Sequence, residues 1–263
     1  MVIFLKLGGS LITDKTKPYC ARPEVIYRVG KEIQAFLEKM PHSNLVIGHG
    51  SGSFGHEAAA KYGTRGGVNS SEEWLGFIEV WKAARALNSI VSEELARAGL
   101  PIISLSPSAS LVSRGRDEVT WNIEPIRSAI SRNLIPLIHG DVIFDTKIGG
   151  TIFSTEELFI HLAPHLPPSR ILLAGIDEGV YSDYPNNAGI FSLIDSKNFN
   201  NVINQIQGSA ATDVTGGMAA KVTAMARLCS EIDGLTVNIL SGNINGNVTR
   251  ALEGESLGTQ IAG

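Results

Sequence analysis

The sequence predicts an α/β fold: a three-layer αβα sandwich around a mainly parallel, open sheet. Three observations lead there. Short apolar, strand-like runs alternate with longer helical stretches along the whole chain, the pattern of a parallel sheet covered by helices on both faces. Turns rich in glycine follow several of the strand-like runs, at the strand ends where ligands of such sheets collect. The 263 residues, 43% of them hydrophobic, suit one large domain or two small ones.

Val2-Ile3-Phe4-Leu5-Lys6-Leu7 is the first strand, apolar except for Lys6, and runs into Gly8-Gly9-Ser10. A lysine within a buried strand needs an anionic partner or a route for its head to solvent, and both readings stand at this point. Asp14, Lys15 and Lys17 follow in a polar loop. Pro23 opens a helix to about Lys39 whose stripe is Val25, Val29, Ile33 and Phe36-Leu37, with proline at an acceptable first-turn position. Leu45-Val46-Ile47 is the second strand and leads into Gly48-His49-Gly50-Ser51-Gly52-Ser53-Phe54-Gly55-His56. Strand, glycine loop and a helix from about Glu57 make an anion site, since glycine lets a ligand approach the amides and the helix dipole points the same way. A plain glycine-rich turn is the alternative.

Ser70 and Glu73 form a capping box for a helix reaching Ala98. That helix carries Trp74, Phe77, Ile78 and Trp81, either core or the lining of an apolar ligand pocket. Pro101–Leu105 is the third strand, Ile123–Asn133 a helix and Leu134–His139 the fourth strand, ending at Gly140-Asp141. Val142–Phe144 and Thr151–Phe153 flank turn residues that include Gly149-Gly150, a hairpin pattern. Ser154-Thr155-Glu156-Glu157 caps the next helix. Arg170–Ala174 is the fifth strand and runs into Gly175-Ile176-Asp177-Glu178-Gly179-Val180-Tyr181. A second glycine site, Asp213-Val214-Thr215-Gly216-Gly217, precedes a helix through Ile232 that places Lys221 one turn in, on the face of Gly217. Leu235–Leu240, a helix near 247–252 and a short strand, Thr259–Ala262, close the chain.

Net charge is −4 with no basic run, which argues against nucleic acid as a partner. No apolar run approaches the ~20 residues that span a bilayer, and the first residues read as a strand rather than a signal peptide. Cys20 and Cys229 lack metal or disulfide spacing, so a reducing, cytoplasmic setting is expected.

Lys6-Leu7-Gly8-Gly9-Ser10, the 48–56 loop, Gly140-Asp141, the 177–181 stretch and the 213–218 stretch with Lys221 occur in the order found in the amino acid kinase superfamily, which the chain resembles over essentially its whole length. Within it, Ser53-Phe54-Gly55-His56 after the glycine loop, with Asp14-Lys15, is similar to the isopentenyl phosphate kinases. The resemblance implies transfer of the ATP γ-phosphoryl group to an alkyl monophosphate, isopentenyl phosphate, with Mg²⁺ bridging ATP oxygens and a homodimer as the assembly. It implies an acceptor-binding half, 1–163, and a nucleotide-binding half, 164–263, of one domain. It assigns Lys6, Lys15, His56 and Lys221 to catalysis. ATP falls to Lys6, Leu7, Gly8, Gly9, Ser10, Gly52, Asp177, Gly179, Tyr181, Gly216, Gly217 and Lys221. The acceptor falls to Gly50, Ser51, Gly52, Gly55, His56, Gly140, Gly149 and Gly150, and no side chain is assigned to a metal. Ser51 departs from the usual third consecutive glycine. The chemistry suits these residues: joining two anions needs charge neutralisation and alignment, without a covalent nucleophile. Two other readings are a same-fold kinase for another acceptor, such as fosfomycin, and a non-catalytic nucleotide-binding regulator. The second would be expected to lose lysines that are present here.

Overall fold

The sheet is built outward in both directions from β1 (Val2–Leu7). The computed structural model describes residues 2–183, 186–207 and 217–263, with the side chains at 56–58, 60 and 207 outside that description. After β1 come α1 (Gly9–Ile12), α2 (Pro23–Lys39), β2 (Asn44–His49), α3 (Gly52–Tyr62), α4 (Ser71–Arg97), β3 (Ile102–Ser104), β4 (Leu111–Arg114) and β5 (Glu118–Trp121). Then follow α5 (Glu124–Ile130), β6 (Ile135–His139), β7 (Asp141–Asp145), β8 (Gly149–Phe153), α6 (Thr155–Leu162), β9 (Arg170–Gly175), β10 (Leu193–Ile194), α7 (Phe199–Gln207), α8 (Gly217–Glu231), β11 (Thr236–Ser241), α9 (Asn247–Glu253) and β12 (Thr259–Ala262).

Among the described residues, eight strands form one sheet in the order β10-β12-β11-β9-β1-β2-β6-β3. Its pairs are parallel except β11 with β12. Side chains alternate across a strand, and β1 shows the consequence. Ile3, Leu5 and Leu7 join a core with α2, α4 and α9. Phe4 joins a second core with α5, α6, α7 and α8 on the other face. Lys6 shares the face of Phe4, toward α6 and α8, and this parity decides which partners the strand lysine meets.

The chain moves from β1 to β2 on one side and later returns to place β9 on the other. The strand order therefore reverses beside β1, and a crevice opens at its carboxyl end. Residues up to 163 supply β1, β2, β3 and β6, and residues beyond supply β9 to β12.

Four further strands form a small sheet, β5-β4-β7-β8. The β7–β8 hairpin is antiparallel, as the sequence pattern predicts. β4 and β5 carry no clear signal, being four residues each around Gly115-Arg116, both at positive φ (62° and 69°). Asp145 ties this sheet together, accepting from the Ser113 hydroxyl at 2.6 Å and the amides of Gly115 and Arg116 at 2.9 Å each. Against the pull of burial, the hydrogen bonds from Ser113 and from the amides of Gly115, Ile148 and Lys147 hold its carboxyl well below the usual range.

The predicted capping box forms at Ser70 with Glu73, and the predicted cap at Ser154 is a capping box with Glu157. The helix after the first glycine loop starts at Gly52 rather than Glu57, and β2 runs on through Gly48 and His49. The loop between them is therefore only Gly50-Ser51.

Candidate active site

A cleft of about 690 Å³ opens over the carboxyl ends of β1, β2, β6, β9 and β11. Two glycine turns form its floor and touch through their backbones. A Cβ on Gly9 would lie 2.4 Å from the Gly52 nitrogen and 2.6 Å from its Cα. Gly52 has φ +49°, and a Cβ there would meet the Thr13 hydroxyl at 2.1 Å. The two turns approach this closely only without side chains. They are locked by Gly8 N–H to Ala174 O at 2.7 Å, Gly50 N–H to Leu7 O at 3.0 Å, and the Thr13 hydroxyl, which donates to Gly9 O at 2.6 Å and accepts from Ser53 N–H at 3.0 Å. The first amides of α3, which lack partners within their own helix, start at this floor.

Lys6 projects from β1 into the cleft and pairs with Glu156 of α6, their side chains 12% and 14% exposed. Burial would raise the Glu156 carboxyl, but Lys6 and then Lys221 outweigh it and hold it below its ordinary value. The carboxylate stays ionised, paired with Lys6 and attracted also by Lys221, lysines of strand and helix 215 positions apart in sequence. Lys15 lines the same cleft from its loop.

At the rim, Glu157 takes both Arg65 and Arg116, with Arg65 bound through both oxygens at 3.1 and 3.3 Å. Beneath the floor, His49 and His139 stack with centroids 5.4 Å apart and planes 10° apart. Burial pushes both rings down to about 4, with the two rings opposing one another's charge at His49. Burial raises the neighbouring Asp141 carboxyl, against hydrogen bonds from Ser108 and the Val142 amide.

Of the residues predicted from sequence, Lys6, Gly8, Gly9, Ser10, Lys15, Gly50, Ser51, Gly52, Gly55, Gly140, Asp177, Tyr181, Gly217 and Lys221 line the cleft. Leu7 is fully buried in the core and reaches the site only through its carbonyl. Gly179 packs on Thr259, and Gly149 and Gly150 pack on Val68 and Phe77 under the small sheet. None of these three is a lining residue; each glycine serves a close chain crossing instead. Gly216 lies outside the described residues, as does the side chain of His56, whose backbone belongs to α3.

The aromatic stripe of α4 also turns elsewhere. Phe77 is buried with Val68, Val80 and Val142, and Trp74 and Phe77 both contact Phe144 of β7, at 6.0 and 5.2 Å between centroids. Ile78 is exposed. The turn of α4 that does face the cleft carries Val80 and Ala84, joined by Ala59 and Ile152 in an apolar wall.

Sequence reasoning did not find Glu156 or Arg65. The capping pattern Ser154–Glu157 accounts for the acidic pair as helix-start chemistry, and the pattern alone does not say that Glu156, facing away from the cap, meets β1.

The family model described as the amino acid kinase family matches residues 1–241. The isopentenyl phosphate kinase of Methanocaldococcus jannaschii is 34% identical across 99% of this chain and 98% of its own. That of Methanothermobacter thermautotrophicus is 32% identical across 100% and 99%. A crystal structure of an isopentenyl phosphate kinase superposes with a TM-score of 0.83 at 28% identity, covering all of both chains. With these full-length matches, the chain belongs to the amino acid kinase family and, within it, to the isopentenyl phosphate kinases.

Proposed function

We propose that this kinase transfers the γ-phosphoryl group of ATP to isopentenyl phosphate, giving isopentenyl diphosphate. The observation that carries the reading is the two-part character of one cleft. Lys6, Lys15 and Lys221 lie with two glycine turns at its floor, and an apolar wall of Ala59, Val80, Ala84 and Ile152 continues from it. An acceptor that is anionic at one end and hydrocarbon at the other matches both parts. Glutamate or uridylate would leave the apolar wall facing a polar group.

In this reading residues 1–163 bind the acceptor and 164–263 the nucleotide. Lys6 and Lys221 neutralise the charge that develops on the transferring group, and Glu156 keeps the two ammonium groups apart and oriented. The amides of Ser51 and Gly52 receive the acceptor phosphate beside Gly50, with His56 as a further donor and Lys15 closing from its loop. Gly8 to Ser10, Asp177, Tyr181 and Gly217 border the nucleotide. The acceptor oxygen is already anionic and needs no general base. Mg²⁺ would be carried mainly by the phosphate oxygens of the nucleotide, neutralising charge on the transferring group. The assembly is a homodimer through the acceptor half, which light scattering would read as twice the 28.1 kDa chain mass.

The test is ATP consumption across isopentenyl phosphate, dimethylallyl phosphate, fosfomycin, uridylate and glutamate. The expected preference is for the two prenyl phosphates. Turnover confined to fosfomycin or glutamate would overturn the proposal.

A further inference from the structure

We infer that His49 is a positioning residue: held by Asn88 of α4, its ring fixes the Gly50 carbonyl and so aligns the glycine floor with the apolar wall of the cleft. The inference rests on the acceptor reading above.

His49 ends β2 and is buried, as is Asn88. The ring nitrogen Nδ1 lies 3.1 Å from Gly50 O, and Nε2 lies 3.2 Å from the Asn88 side-chain oxygen. Asn88 Nδ2 is in turn 2.7 Å from the Ser104 hydroxyl of β3. A ring that titrates at about 4 is neutral at pH 7 and carries one N–H. With the amide oxygen of Asn88 toward the ring, both nitrogens face oxygens, and one proton cannot serve both. The carbonyl of Gly50 can only accept, so the proton sits on Nδ1. Nε2 is then a bare acceptor, and the Asn88 amide must present its NH₂ to it. The amide oxygen and nitrogen exchange places without moving any other atom. Its oxygen then accepts from the Ser104 hydroxyl, and each group in the chain Ser104–Asn88–His49–Gly50 is satisfied.

The placement of Asn88 gives this chain its consequence. Val80, Ala84 and Asn88 are spaced by four along α4 and share one face. The first two line the cleft wall, and the third holds the ring that holds the loop. The His49 carbonyl reaches a second element, accepting from the Thr155 hydroxyl at 2.6 Å and Gly140 N–H at 3.2 Å. Thr155 precedes Glu156, the partner of Lys6. One residue thus joins the acceptor wall, the glycine floor and the helix start that orients a lysine.

The experiment combines histidine-ring NMR of the intact protein with kinetics of four variants. The His49 signal, identified by its loss in His49→Phe, is expected as the Nδ1–H tautomer. His49→Phe keeps the stacked shape and Asn88→Leu the volume. Each is expected to raise the acceptor KM about tenfold, equivalent to about 1.4 kcal/mol, with the ATP KM within about twofold. His49→Asn places an amide N–H near the Nδ1 position and is expected to recover most of the loss, whereas His49→Gln, which mimics Nε2, is not. An Nε2–H tautomer would overturn the inference, as would unchanged acceptor KM in a folded His49→Phe or Asn88→Leu protein, or equal rescue by Gln and Asn. Should His49→Phe fail to fold, the Asn–Gln pair, which then also identifies the signal, and the ring spectrum still decide. A wild-type protein inactive on isopentenyl phosphate would refute the acceptor reading alone, because the tautomer is read without substrate.

Discussion

Replacing Glu156 by Gln removes a carboxylate paired with Lys6 and attracted by Lys221, and ATP should relieve its effect on stability while leaving its effect on rate. The Lys6–Glu156 pair is 12% and 14% exposed, so little solvent screening softens the loss. A hydrogen bond to a charged group is worth about 1.5–3 kcal/mol, and losing Lys6 orientation in the transition state is expected to lower kcat about 10- to 100-fold. Removing one partner of a buried pair leaves the other uncompensated, at about 3–5 kcal/mol. The free variant should therefore melt well below the wild type. Nucleotide phosphates supply replacement anions for Lys6 and Lys221, so ATP with Mg²⁺ should raise the melting temperature of Glu156→Gln more than that of the wild type. The wild-type carboxyl titrates below its usual value. It therefore stabilises the fold above the unfolded carboxylate range and stops doing so as pH falls through its folded pKa. Glu156→Gln should lack that acid-side component. Steady-state kinetics with thermal shift, each with and without nucleotide, measures all of this. Wild-type kcat together with an ATP-independent melting difference would refute the reasoning.

Lys221→Ala should reduce turnover or raise the ATP KM at least tenfold, about 1.4 kcal/mol, as read by initial rates. Gly9→Ala brings a methyl within 2.4 Å of Gly52 N; because both neighbours are backbone, kcat/KM should fall at least about tenfold while circular dichroism stays native. Phe77→Ala should cost about 3–5 kcal/mol in urea unfolding, because Phe77 is buried behind Val80 of the cleft wall without lining the cleft itself. His49 and His139 titrate at about 4 rather than 6.5. Unfolded histidine binds its proton first, so stability should fall between about pH 6.5 and 4, by up to about 3 kcal/mol per ring. Urea titrations at stepped pH, compared with His139→Phe, would expose this loss.

The alternation of apolar runs and amphipathic stretches determined the αβα architecture, because a parallel strand buried on both faces has to be apolar and its crossover helix has to be amphipathic. The glycine turns were legible because close backbone approach leaves a mark in local sequence; Lys6 alone left two readings open, and Lys15 took a role only through the family resemblance. The small sheet was less legible. Its hairpin, β7–β8, has turn signals, but β4 and β5 hold together through Asp145, a residue 24 positions beyond β5. Only the tertiary structure decided which way Lys6 points, since side-chain parity on β1 acquires meaning from the helices packed on each face. The same is true of Glu156, whose partners come from β1 and α8. The tryptophan stripe of α4 could be core or pocket by periodicity; packing placed Trp74 and Phe77 against Phe144 and Val80, while Val80 and Ala84 line the cleft. Local sequence carries chain conformation and the chemistry available at each position. Which groups meet is set by strand order and helix rotation, which depend on contacts hundreds of residues apart.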